Sequence, residues 1–129
     1  MTHPIVSSDS GVEYLKLPAP MTDGGMSLLG ALHQRRSART FAPTPLDTVT
    51  LSTLLWAAFG VNRPDTGHRT APSARNWQEI ELYLAMPDGL YVLEPADWRL
   101  RLVVGEDLRA ATGLQDFVAG APLNIVYVS

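Results

Sequence analysis

The sequence predicts an α+β fold, an antiparallel or mixed sheet flanked by helices. Three observations carry that reading. Helical spacing of apolar residues occurs in two stretches, Leu28 to Arg36 and Leu51 to Phe59, period-two alternation marks residues 79–104, and Pro122-Leu123-Asn124-Ile125-Val126-Tyr127-Val128 is a nearly continuous apolar run with the composition of a buried strand. Helices and strands grouped in this way pack as layers around one core.

Residues 1–25 hold Pro4, Pro18, Pro20, Gly11, Gly24 and Gly25 without sustained periodicity, so they read as an extended arm preceding a domain at 26–129. Val12, Leu15 and Leu17 are its apolar residues, available to dock on the core or on a partner subunit. Ser27 is placed to cap a first helix, Leu28 to Arg36, with Leu28, Leu29, Ala31 and Leu32 on one side. Pro43 and Pro45 break the pattern. Asp47 or Thr48 then caps a second helix with Leu51, Leu54, Leu55, Ala58 and Phe59 at helical spacing and Gly60 at its end. Val61 to Asn76 is rich in Pro, Gly, Asn, Asp and Arg and reads as a long functional loop.

Glu79 to Ala85 alternates charged with apolar residues and is expected as a half-buried strand. Pro87-Asp88-Gly89 is a turn, and Leu90–Leu93 and Leu100–Val104 complete an antiparallel meander. Gly105-Glu106-Asp107 opens a short helix with acids at its positive end, and Gln115 to Ala119 forms another. The final apolar run is expected as a central, doubly covered strand, whose second neighbour something else must supply.

The 129 residues suit one globular domain, and 46% hydrophobic with 18% charged residues at a net charge of -3 excludes a disordered or bulk-basic, nucleic-acid-coating chain. Zero cysteines exclude disulfides, thiolate metal sites and a cysteine nucleophile. Met1 to Gly11 lacks the charged and apolar regions of a signal peptide, and no apolar run nears the ~20 residues of a spanning helix, so no membrane partner and a cytoplasmic location are expected. His3, His33 and His68 are too scattered for a metal site, and no GxSxG, Walker or Rossmann glycine pattern is present. Glu79 and Glu81 share a strand face and are assigned to solvent, while Trp56, Trp77 and Trp98 are assigned to packing, Trp77 lying nearest the functional loop.

Nine of the ten basic residues are arginines, planar groups suited to bidentate contact with phosphate or carboxylate. Arg35-Arg36-Ser37-Ala38-Arg39 puts three guanidiniums and a hydroxyl within five residues, enough donors to surround a phosphate dianion. Cations after a helix also simply favour the helix dipole, so the cluster alone is ambiguous. In Thr70-Ala71-Pro72-Ser73-Ala74-Arg75-Asn76-Trp77-Gln78, small residues admit a ligand to the backbone, and Ser73, Asn76 and Gln78 supply neutral donors and acceptors for a heteroaromatic edge. Taken alone it is an ordinary polar loop.

Together these stretches resemble the nitroreductase family. Gly25 to Phe41 is similar to the family's first helix and its RxSxR/K flavin-phosphate signature, and Pro72-Ser73-Ala74-Arg75-Asn76-Trp77-Gln78 matches a PSxxNxQ loop. Leu51 to Arg63 and Asp88-Gly89-Leu90-Tyr91 resemble the subgroup of thiazole- and oxazole-forming peptide oxidases. The resemblance implies an intertwined homodimer with shared FMN sites. In it Arg35 and Ser37 would contact the FMN phosphate, Arg36 the phosphate or ribityl chain and Arg39 the pyrimidine edge, while Pro72, Ser73, Ala74 and Asn76 reach the flavin held by the other subunit. It further implies NAD(P)H-driven, ping-pong reduction of a small-molecule acceptor such as a nitroaromatic or quinone, with the cofactor carrying the chemistry and no catalytic side chain. A silent flavin-binding or interaction protein and an azoline-peptide oxidase are the alternatives. The family domain's later helix and its late Lys/Arg have no counterpart in the sequence, nor do the oxidases' paired Lys-Tyr residues, so the C-terminal part of the family domain is expected to be missing.

Overall fold

The structure is a computed structural model that describes residues 7–9 and 11–129. Arm residues 1–6, with His3, lie outside the described residues. The described residues build eight strands and two α-helices: β1 (Ser7–Asp9), β2 (Val12–Lys16), α1 (Leu28–Gln34), α2 (Thr48–Phe59), β3 (Val61–Arg63), β4 (His68–Arg69), β5 (Glu81–Met86), β6 (Gly89–Glu94), β7 (Arg99–Val104) and β8 (Asn124–Val128). Six strands form one sheet in the order β1-β2-β7-β6-β5-β8 with every pairing antiparallel, and β3 and β4 form a separate hairpin. This is the α+β architecture expected.

Period-two alternation decides which sheet face is apolar. Registers set Leu15 opposite Leu100 and Leu100 opposite Leu93, and likewise set Tyr91 and Ile125 opposite Leu84. These residues, with Leu17, Leu82 and Met86, belong to one core, and α2 covers it with Leu51, Leu55 and Phe59, one helical turn apart. Leu15 and Leu17 are buried, so the arm docks on the core. The opposite face carries the row Tyr14, Arg101, Val92, Tyr83 and Val126. Arg99, stacked 3.8 Å from the Tyr14 ring, and Arg101 both donate to Glu94, at 2.6 and 3.2 Å.

A polar hub ties arm, helix and sheet. Ser52 is wholly buried on α2; its hydroxyl donates to the Pro18 carbonyl at 2.6 Å and accepts from the Trp98 indole N–H at 2.8 Å. The Leu17 amide donates in turn to the Trp98 carbonyl at 3.1 Å.

Four expectations change. The first helix stops at Gln34 instead of Arg36, because Arg35 turns extended (φ -61, ψ 130). The loop expected over 61–76 contains the β3–β4 hairpin, closed by the Gly67 amide on the Arg63 carbonyl at 2.8 Å. The helices expected after residues 105 and 115 are short 3-10 turns, Arg109–Thr112 and Asp116–Gly120. They are organised by a bidentate Arg109–Asp107 pair at 2.9 Å and by the Arg109 guanidinium donating to the Ala121 carbonyl. Finally, among the described residues β8 is an edge strand and not a central one: it pairs there with β5 alone, and Tyr127 and Val128 are exposed. Its apolar run reflects one face packed through Leu123 and Ile125 and an opposite face on which Val126 is half-buried and Val128 exposed. Among the described residues no helix is long and apolar enough to cross a membrane.

Candidate functional site

Residues singled out from the sequence fall in two places. The first is the extended segment after α1. Ser27 caps α1 by accepting from the Gly30 amide at 3.1 Å, and the Arg35 amide closes the last turn on Ala31 at 2.9 Å. Beyond that, Arg35, Arg36, Ser37 and Arg39 are all exposed. Arg39 lies over the Phe117 ring at 5.8 Å. α1 buries none of its residues, and Leu28, Leu29 and Leu32 stay 74%, 78% and 59% exposed.

The second place is the segment 71–78. Asp47 starts α2 by accepting from the Thr50 amide and hydroxyl at 2.8 and 2.7 Å, bonds that also hold its carboxyl below the usual carboxylate range. α2 ends where the Gly60 amide meets the Trp56 carbonyl, which delivers Phe59 beneath the segment. There the backbone takes left-handed φ at Arg75, Asn76 and Gln78 (53°, 54° and 52°), a conformation that disfavours L-residues other than Asn and concentrates at functional sites. Side chains hold it in place. The Ser73 hydroxyl accepts from the Gln78 amide at 2.7 Å, and the Gln78 side-chain amide donates to Asn76 Oδ1 and to the Gly67 carbonyl, each at 3.0 Å. Ser73 and Gln78 are thus scaffold as well as surface, since a lone pair of the Ser73 hydroxyl and the side-chain N–H donors of Gln78 are already engaged.

Pro72, Ser73 and Ala74 line a cavity of about 140 Å³ with Phe59, Arg69 and Ile80. On the hairpin side Pro72, Ser73 and Asn76 line a broader hollow of about 330 Å³ with Arg63, His68, Arg69 and Arg75. The four residues after α1 line neither, so within one chain the two groups do not share a cavity. Trp77 is exposed and lines neither, whereas Trp98 is drawn into the hub, which leaves only the packing role for it.

Arg63 and Arg69 escaped sequence reasoning. Arg69 stacks on Phe59 at 4.5 Å and its carbonyl accepts from the Arg63 guanidinium at 2.9 Å. Burial lowers the Arg69 pKa from the ordinary arginine value. One signal was available: residues 61–78 hold three arginines, Arg63, Arg69 and Arg75, against a single acid, Asp65.

Comparison with known proteins closes the case for the family. The nitroreductase family model matches residues 32–128. A Methanocaldococcus jannaschii protein named as a putative nitroreductase is 32% identical over 111 residues, covering 78% of this chain and 56% of that protein. The crystal structure of a putative nitroreductase from Ralstonia eutropha JMP134 superposes with a TM-score of 0.82 at 47% identity, over 88% of this chain and 54% of that one. The chain therefore spans about half the length of the relatives it matches. With the family model matched over residues 32–128, the chain belongs to the nitroreductase family.

Proposed function

We propose that the chain belongs to an FMN-dependent oxidoreductase of the cytoplasm, which takes electrons from NAD(P)H and passes them to a small acceptor such as a nitroaromatic or quinone. The flavin-binding portion is 26–129, braced by the arm through Leu15 and Leu17, and two copies complete each other's site.

One observation carries the reading: Arg35, Arg36 and Arg39 have no carboxylate partner among the described residues, although Arg99, Arg101 and Arg109 each have one. Three unpaired guanidiniums and the Ser37 hydroxyl on one extended segment are a donor set that fits a phosphate dianion. The bare apolar stripe of α1 immediately before them and the free edge of β8 support burial against a second copy. Arg35, Arg36 and Ser37 would hold the phosphate and ribityl end, and Arg39 would lend positive charge to the ring system. Pro72, Ser73, Ala74 and Asn76 would close over the ring from the other protomer, with Ser73 and Asn76 held in place by Gln78. FMN, when bound, supplies the hydride chemistry, so the protein's work is binding, orientation and electrostatic field.

The test is anaerobic mixing of purified protein with FMN and NADPH while the flavin absorption is followed. Bleaching, reversed by a nitroaromatic, is the expected result. Binding without bleaching would favour a silent flavin protein, and turnover only with oxygen and a heterocyclised peptide would favour the azoline oxidase.

A further inference from the structure

We propose that the hollow between the β3–β4 hairpin and the 72–76 segment recognises an oxyanion, the phosphate or carboxylate borne by a substrate of the flavin, with Arg69 as its anchoring cation. Its assignment to a flavin substrate rests on the flavin reading; the oxyanion site itself does not.

Six of the nine arginines lack an acid partner among the described residues, and they form two groups, 35/36/39 and 63/69/75. The second group, with His68, Ser73 and Asn76, surrounds the 330 Å³ hollow, and no carboxylate lines it. Acids do approach Arg69 from its other sides: Glu79 lines the smaller cavity, and Glu81 and Glu94 line a neighbouring hollow. None of them forms an ion pair with it, and Glu94 is already taken by Arg99 and Arg101.

Arg69 differs from a surface arginine in two respects. Its Nε is buried with no hydrogen-bond partner, and its guanidinium is fixed on the Phe59 ring. A buried donor on a cation without an acceptor is unfavourable, and burial accordingly pulls the guanidinium's pKa down. A planar fork already oriented on an aromatic face is suited to bidentate contact with an oxyanion. Arg63 is held to the Arg69 carbonyl, and the left-handed backbone at Arg75 and Asn76 fixes the opposite wall.

Arginine side-chain ¹H–¹⁵N spectra of the full chain test this directly. Titration with inorganic pyrophosphate should shift the Arg69 Nε–H resonance saturably, and Arg69→Gln should weaken the calorimetric affinity of the same site by about ten- to a hundredfold. An unmoved Arg69 signal overturns the proposal. Two pairs of probes then locate the anion. NAD⁺ shifting Arg69 at lower concentration than nicotinamide riboside, which lacks the diphosphate, assigns it to the reductant; 4-nitrobenzoate outcompeting 4-nitrobenzamide assigns it to the acceptor. No difference within either pair overturns the substrate assignment. FMN is followed separately on the Arg35 and Arg36 signals: their silence sinks the flavin reading while a responding Arg69 still supports the oxyanion site, and an FMN shift on Arg69 with loss of FMN binding in Arg69→Gln overturns a separate subsite.

Discussion

Ser52→Ala removes the hydroxyl that joins the arm, α2 and the turn before β7. The structure allows its effect to be worked out. The hydroxyl donates to Pro18 at 2.6 Å and accepts from Trp98 at 2.8 Å, within a fully buried site. Two such bonds contribute about 1–3 kcal/mol net, and leaving partners unsatisfied would push the loss higher. Here the loss is moderated, because the Trp98 indole N–H already lies 3.3 Å from the Pro18 carbonyl and can relax onto it. The expected destabilisation is therefore about 2 kcal/mol, or about 6–10 °C in Tm for a domain of this size. Urea unfolding followed by fluorescence should show a lower midpoint at unchanged slope. Trp98→Phe deletes the same indole donor, so the double variant should fall short of additivity by about 1 kcal/mol. A loss below about 0.5 kcal/mol, or strict additivity, would refute the hub as a cooperative unit.

Leu55 is wholly buried between α2 and the sheet, so Leu55→Ala should destabilise by about 2–5 kcal/mol, measured in the same unfolding series. A Cβ on Gly60 would lie 2.7 Å from the Trp56 carbonyl oxygen and closer still to the Trp56 indole, so Gly60→Ala should lower stability by about 1–3 kcal/mol, and an unchanged midpoint would contradict the packing described. The carboxyls of Asp47, capped on Thr50, and of Asp107, bonded to Arg109, sit below the ordinary 3.8 in the folded chain. Their contribution is thus complete above that value and is lost as pH falls through the lower folded one. The Tm gap between wild type and Asp47→Asn should accordingly be widest at neutral pH and close as pH falls through the lowered folded value; a gap that widens on acidification reverses the argument.

Local signals were strong where the chain writes them locally. Ser27 and Asp47 cap the helices as their side-chain chemistry demands, Gly60 ends α2, and the alternation from Glu81 to Val104 gives three paired strands. The β3–β4 hairpin was illegible because strands of three and two residues carry no period, and its closure depends on backbone bonds across Arg63 to Gly67. The edge position of β8 was hidden for a different reason: an apolar run reports that both faces avoid water without saying what covers them. In the site, residue types were readable but not their tertiary use. Ser73 and Gln78 look like ligand donors in sequence, yet their first partners are each other and the Gly67 carbonyl. Arg69 looks like a loop cation, yet Phe59, ten residues earlier, turns it into a fixed and partly desolvated one.

The most direct measurement is an FMN titration of the purified chain, monitored by flavin fluorescence, beside Arg35→Ala. The account predicts saturable quenching by wild type and an affinity about ten- to a hundredfold weaker in the variant. Equal affinity in the two proteins, or no quenching by wild type, contradicts it.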